Sequence, residues 1–209
     1  MSLFVKRFLD IILSGGTLLF LSPLMAAIAL TIGFCDGPPV LFRQTRPGYK
    51  GRPFTLLKFR TMTDTQDARG SFLPDAERLS TVGKLFRQLS LDELPQLWNV
   101  LRGDLSLVGP RPLLMRYMDR YSPNQAHRHD VKPGITGWAQ INGRNILTWE
   151  EKFTLDLWYV ENWCLLLDFR ILFQTARQVL TQRGISFEGY ATMPEFMGSR
   201  DRIVPGSTK

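Results

Sequence analysis

The sequence predicts a helix-rich α/β chain with one small β-hairpin, held to a membrane by a single N-terminal segment. A charge-free, mostly apolar run of 24 residues covers positions 11–34. Two short β-prone runs flank a Pro-Gly turn region soon after it. Beyond them, apolar residues recur at helical spacing. A length of 209 residues suits one domain with its own core, plus a membrane element or a tail.

As a straight helix the apolar run would reach ~36 Å, which exceeds the ~30 Å of a hydrocarbon core. Ser22-Pro23 lies in its middle, where proline removes a backbone donor and crowds the preceding turn, so a kink is expected. Basic residues stand on both sides, Lys6 and Arg7 before it and Arg43, Arg46, Lys50 and Arg52 after it. A single span normally gathers its basic excess on one side, so a re-entrant helix-hairpin with both ends cytoplasmic is expected. A kinked spanning helix is the alternative, since bundles tolerate proline. A signal peptide fits poorly, because the run is long for an h-region.

After Gly37-Pro38-Pro39, residues 40–43 and 54–59 read as strands of a hairpin around Pro47-Gly48-Tyr49-Lys50-Gly51-Arg52. Leu79, Val82, Leu85, Phe86 and Leu89 mark a helix, and Ser90 with Glu93 has capping-box spacing ahead of the next one, with Pro95 in its first turn. Thr148 and Glu151 repeat that spacing before Phe153, Leu157 and Val160. A last helix is expected from about Asp168, with Phe169, Leu172, Phe173, Ala176, Val179 and Leu180 on one face and Gly184 as its stop. Trp149, Trp158, Tyr159 and Trp163 suit either core packing or the lipid headgroup layer. The expected division is 1–36 for the membrane hairpin, 37–198 for the globular part and 199–209 for a flexible tail.

The formal charge is +7, which favours phosphate-bearing partners without choosing among nucleic acid, anionic lipid and nucleotides. Cys35 and Cys164 are far apart and outside any C-x-x-C pattern, so neither disulfides nor zinc are expected, and a reducing compartment fits. His127 and His129 read as solvated loop residues rather than metal ligands. No nucleic-acid motif accompanies the basic charge, so nucleic acid is not an expected partner.

Between Arg43 and Arg60 there are six basic residues and no acidic one, a surface that could meet anionic lipid or let Lys58 and Arg60 reach a phosphate. Asp92 and Glu93 are adjacent carboxylates at an expected helix start. Stabilising the helix dipole explains them, and so does a phosphoryl-transfer site, where a carboxylate attacks phosphorus or holds Mg²⁺. Arg111 sits between Pro110 and Pro112, which would restrict it for phosphate recognition. The turns at 133–138 and 142–145 read as ordinary loop chemistry on their own.

As an ordered set, these blocks resemble the bacterial sugar transferases, the monotopic phosphoglycosyl transferases. The likeness runs from Lys6 to about Gly198. It includes Lys6-Arg7 with Asp10, Ser22-Pro23, Phe42-Arg43-Gln44, Lys58-Phe59-Arg60-Thr61-Met62, Ser90-Leu91-Asp92-Glu93-Leu94-Pro95-Gln96, Ser106 to Pro112, Lys132 to Trp138 and Asn142-Gly143-Arg144-Asn145. Cys164 stands where relatives often have serine. The chain resembles the short form of the family.

The resemblance implies a helix-hairpin broken at Ser22-Pro23, interfacial amphipathic helices and a small α/β part on the cytoplasmic face of the bacterial inner membrane. It implies transfer of a sugar 1-phosphate from a UDP-sugar to polyprenyl (undecaprenyl) phosphate through a covalent phosphosugar intermediate, releasing UMP with Mg²⁺ assisting, as the first membrane step of glycoconjugate assembly. Asp92 would be the nucleophile and a metal contact, and Glu93 a metal ligand or acid/base. Lys58, Arg60, Arg87 and Arg111 would hold phosphate, while Asn142, Arg144, Asn145 and Asp168 would form the nucleotide or sugar side. Membrane lipids are expected partners, a homodimer is an open option, and an N-acetylated hexosamine is the preferred sugar. The competing reading is a membrane-tethered scaffold that binds anionic lipid without turnover.

Overall fold

The computed structural model describes residues 2–67, 69–143, 147–181 and 195–198. Helix α1, Ser2–Cys35, contains Pro23, so a single helical element stands where the sequence predicts a broken hairpin. Proline at 23 deprives the Leu19 carbonyl of its usual amide donor. The Ser22 hydroxyl donates to that carbonyl at 2.8 Å. In a segment this apolar, the substitution keeps a backbone acceptor from going unpaired.

Both ends of α1 bear on the rest of the protein. Near its start, Arg7 donates to the carbonyls of Val100 and Leu101 at 2.6 and 2.8 Å. The Asp10 carboxylate accepts from the Ser106 hydroxyl and the Leu107 amide at 3.2 and 3.0 Å. Near its end, Ile28 and Ile32 are buried against Phe59 and Phe86. Leu19 and Phe20, midway, are 79% and 83% exposed. The helix therefore docks at two places and leaves its apolar centre uncovered.

Strands β1, Leu41–Pro47, and β2, Pro53–Phe59, pair antiparallel with Leu41 opposite Phe59, the hairpin expected from the runs 40–43 and 54–59, with its first strand extending four residues further, to Pro47. A short helix α2, Asp75–Arg78, precedes α3, Thr81–Gln88, whose first turn is capped by Ser80 accepting from the Gly83 amide. A Cβ at Gly83 would lie 2.0 Å from the Thr61 carbonyl oxygen, so only glycine lets α3 cross the chain here.

The expected capping box at Ser90 and Glu93 does not form. Ser90 takes a left-handed conformation (φ 55°) and caps nothing, and Leu91–Glu93 is a 3-10 turn. The Glu93 carboxylate goes to cations instead, an outcome that sequence spacing could not anticipate. Helix α4, Gln96–Arg102, begins after Pro95 and ends at Gly103 (φ 91°), as glycine after a helix end commonly does.

Strand β3, Ser106–Val108, pairs in parallel with β4, Gly134–Thr136. A Cβ at Gly134 would lie 2.1 Å from the Gly109 nitrogen, so the two Gly-containing blocks are halves of one close backbone crossing. Short helices α5, Pro123–Ala126, and α6, Trp138–Ile141, follow. Helix α7, Trp149–Asn162, carries the predicted capping box of Thr148 and Glu151. Helix α8, Leu165–Thr181, starts three residues before Asp168. Its expected stop at Gly184 and the tail 199–209 lie outside the described residues.

The tryptophans divide. Trp149 packs with Tyr117, Tyr121, Phe153 and Phe196, whereas Trp158 is partly exposed and stacks on Trp138 at 4.8 Å. On α8 the buried residues are Leu167, Asp168 and Ile171, while Leu166, Phe169, Phe173 and Leu180 are exposed. The apolar face read from the sequence thus points largely outward. His127 is exposed and pairs with Asp130 at 2.7 Å. His129, expected in solvent, is buried, and burial and the neighbouring Arg128 charge bring its pKa down to about 4.

Candidate active site

Four of the residues singled out by sequence meet around the 3-10 turn. Asp92 and Glu93 lie on that turn, Lys58 comes from the end of β2, and Arg111 follows β3. Lys58 Nζ is 2.7 Å from Glu93 Oε1 and 3.9 Å from Asp92 Oδ2. Arg111 grips Glu93 with both ends of its guanidinium, Nη1 at 3.3 Å from Oε2 and Nη2 on Oε1. This is the two-pronged arrangement that arginine makes with a carboxylate.

The two carboxylates consequently differ. Burial pushes the Asp92 pKa up and the adjacent Glu93 charge adds to the shift, with Lys58, Arg87 and Arg111 opposing it. For Glu93 burial also acts upward, but Arg111 and Lys58 prevail and hold it well below the ordinary carboxylate range. Environments that push neighbouring titratable groups apart assign them different tasks. Glu93 is an ionised, paired anchor. Asp92 is a desolvated carboxylate with weaker partners, the condition of a reactive group.

Arg87, in the last turn of α3, donates through Nε to the Thr61 hydroxyl at 2.9 Å and acts on Asp92 through its charge. The remaining candidates lie elsewhere. Arg60 donates to the carbonyls of Pro38 (3.1 Å), Asp36 and Gly37 and so closes the end of α1. Asp168 accepts from Lys6, from Tyr159 at 2.7 Å and from Trp163 at 3.0 Å, a buried tie for the start of α1. Asn142 is exposed and donates to the Trp138 carbonyl at 2.8 Å. Arg144 and Asn145 lie outside the described residues.

The sequence reading passed over the support beneath Arg111. Arg128 and Asp156 form an ion pair at 2.6 Å with side chains 2% and 5% exposed. The same guanidinium donates to the Arg111 carbonyl at 2.8 Å. A buried pair of this kind fixes geometry more than it adds stability. One signal was present: Asp156 sits three residues after Phe153, both buried on α7, and an acidic residue on an apolar helix face asks for a partner.

Among the described residues no cluster of three or more His, Cys, Asp or Glu could enclose a metal. Mg²⁺ needs no such cage, since it is commonly held by one or two carboxylates with substrate phosphates and water. Asp92 fits that role. Glu93 fits it poorly as it stands, with Lys58 and Arg111 on its oxygens.

Comparison with known proteins extends this geometry. The sequence model of the family described as bacterial sugar transferase matches residues 1–182. A Bacillus subtilis protein described as the uncharacterized sugar transferase EpsL is 54% identical over 197 residues, 94% of this chain and 98% of its own. An Aeromonas hydrophila UDP-N-acetylgalactosamine-undecaprenyl-phosphate N-acetylgalactosaminephosphotransferase is 40% identical, covering 87% of this chain and 45% of its own. The Escherichia coli UDP-glucose:undecaprenyl-phosphate glucose-1-phosphate transferase is also 40% identical, over 82% and 39%. The chain thus spans nearly all of the first relative and less than half of the other two.

Proposed function

Because this chain belongs to the bacterial sugar transferase family, we propose that it moves a sugar 1-phosphate from a UDP-sugar to polyprenyl phosphate, releasing UMP. The observation that carries this reading is the unequal carboxylate pair, Asp92 desolvated and Glu93 locked to Arg111 and Lys58. Asp92 attacks the sugar-bearing phosphorus, and a covalent phosphosugar forms on its oxygen. Polyprenyl phosphate then displaces Asp92 and regenerates the carboxylate. Such transfers depend on positioning and charge neutralisation.

Lys58 and Arg111 supply fixed positive charge beside the reacting phosphorus, and Arg87 adds to it at longer range. Glu93 sets the orientation of both nearer cations. Bound Mg²⁺ would neutralise diphosphate charge, with Asp92 and the substrate as its ligands.

A lipid acceptor requires a site at the membrane surface. The exposed apolar centre of α1, docked at both ends on one body, supports a re-entrant path that leaves the site on the cytoplasmic face of the bacterial inner membrane. The outward apolar residues of α8 support an interfacial placement of that helix. Glycoconjugate assembly is the corresponding process, and an N-acetylated hexosamine, the kind of sugar for which the Aeromonas relative is named, is the preferred donor, with glucose, for which the Escherichia coli relative is named, as the alternative.

The deciding experiment incubates purified protein with Mg²⁺, polyprenyl phosphate and a panel of UDP-sugars and measures UMP. Release from one sugar, dependent on the lipid, is the expected result. No release from any sugar would leave the lipid-binding scaffold as the better reading.

A further inference from the structure

The hairpin cations that the sequence offers to anionic lipid are largely used inside the protein. Lys58 is on Glu93, Arg60 on the Pro38 carbonyl, Arg46 on Gln44 and Lys50 on Asp130. A second group of cations lies at the other end of α4 from the catalytic acids. That helix begins three residues after Glu93 and runs for seven residues, about 10 Å at the usual rise.

Three cations meet around Gly103, where α4 ends. A Cβ at Gly103 would lie 3.3 Å from Arg7 Nη2 and 3.4 Å from Lys132 Nζ, and Arg102 is the preceding residue. Cations commonly complement the negative end of a helix, and Arg7 does so by donating to the Val100 and Leu101 carbonyls. The Asn99 and Val100 carbonyls also accept from the Gly103 amide at 3.1 and 3.0 Å. Lys132 is surplus to that capping. It is half-buried and has neither a hydrogen bond nor an ion pair among the described residues. Asp104 is engaged by Arg102 at 3.5 Å and by Asn99 at 3.2 Å, and Asp10 is buried and accepts from Ser106 and Leu107. Burial and then the Arg7 charge lower the Lys132 pKa, against the pull of these two carboxylates.

Exposed apolar surface flanks the group on two helices. Leu3 and Phe4, about one turn before Arg7 on α1, are both exposed, Phe4 to 78%. Trp98, one turn before Arg102 on α4, is 52% exposed. Residues three or four apart on a helix are neighbours, so these side chains border the cations. Basic groups beside exposed aromatic rings suit the headgroup layer of a membrane.

We infer that Arg7, Arg102 and Lys132 form a headgroup site for an anionic phospholipid of the membrane. The lipid phosphate is received at Gly103 between the three side chains, and its acyl chains lie along Leu3, Phe4 and Trp98. Arg7 belongs to α1 and Lys132 leads into β4, so a bound headgroup ties the start of the membrane helix to the parallel strand pair. The site is a helix length from Asp92 and takes no part in the transfer reaction.

The test uses the full chain in detergent micelles and measures bound lipid by native mass spectrometry, with phosphatidylglycerol as the anionic probe and phosphatidylcholine as the zwitterionic control. Wild type is expected to retain phosphatidylglycerol over phosphatidylcholine. Lys132→Gln should weaken phosphatidylglycerol about fivefold, the effect of one cation at an anionic surface, and leave phosphatidylcholine unchanged, while Lys132→Arg keeps the preference. Arg102→Gln should weaken it less, because Asp104 shares that charge. The double variant Arg43→Gln with Arg52→Gln, which removes two exposed hairpin cations, should change nothing. If Lys132→Gln does not fold, Lys132→Met, which keeps the stem without the charge, carries the test.

No preference for phosphatidylglycerol in wild type, or an equal preference in the folded Lys132 variants, would overturn the site. An equal loss in the hairpin control would overturn it by reducing the effect to diffuse charge. Displacement of phosphatidylglycerol by equimolar undecaprenyl phosphate would overturn it by reassigning the cations to the acceptor.

Discussion

Arg111 engages Glu93 through both ends of its guanidinium, and together with Lys58 this pairing makes two neighbouring carboxylates chemically different. Glu93 gains two cations that outweigh its burial. Asp92, one residue earlier, gains a fixed negative neighbour and keeps its desolvation. The local chain supplies two acids, and residues far from them in the chain decide which one is held in reserve.

Asp92→Asn is expected to abolish UMP release and covalent labelling together while raising thermal stability. A carboxyl whose folded pKa is raised stabilises the fold fully below its unfolded pKa, and that contribution is lost as pH rises through the folded value. At neutral pH the ionised Asp92 is therefore a cost, which asparagine removes. Thermal melts at neutral pH alongside adduct detection check this. A labelled adduct in the variant would move the nucleophile elsewhere.

The pH profile of kcat/KM should show an acid limb above the ordinary aspartate range, because Asp92 must be ionised to attack. Lys58 favours that ionised form, so Lys58→Gln should move the limb to higher pH. A limb that stays in place, or moves down, contradicts the assignment.

Breaking the Arg128–Asp156 pair by Asp156→Asn should cost about 3–5 kcal/mol, since it strands a buried guanidinium. Replacing both partners, Arg128→Met with Asp156→Leu, should restore most of the stability but not the activity, because the Arg111 carbonyl loses its donor. Denaturant melts and UMP release on the same preparations separate the two effects.

For Asp168 the expected effect is structural. Asp168→Asn weakens the tie to Lys6 at the start of α1 and should lower stability with the UDP-sugar KM unchanged. A raised KM with an unaltered melt would return Asp168 to the sugar side.

Single cysteines at Ser2 and Asp36, in a chain with Cys35 and Cys164 replaced, should both be labelled from the cytoplasmic side of the membrane. Labelling from opposite sides would establish a spanning helix and discard the re-entrant path.

Local features were legible because neighbours in the chain determine them. The hairpin of β1 and β2, the capping box of Thr148 and Glu151, the long apolar N-terminal helix and the family blocks all follow from periodicity, turn residues and spacing within a few positions. Ser90 marks the limit of such reasoning: its spacing from Glu93 promises a cap, yet Lys58 and Arg111 offer that carboxylate stronger, charged partners.

What only the tertiary structure decided is how the charged residues are paired. Arg60 closes the end of α1, Asp168 holds its start, Arg128 and Asp156 support Arg111, and His129 is buried. The sequence determined which acids and bases exist and which short segments carry them. Burial and partners far away in the chain determined their protonation and their work, since desolvation and Coulomb energy depend on distances in space rather than on order along the chain.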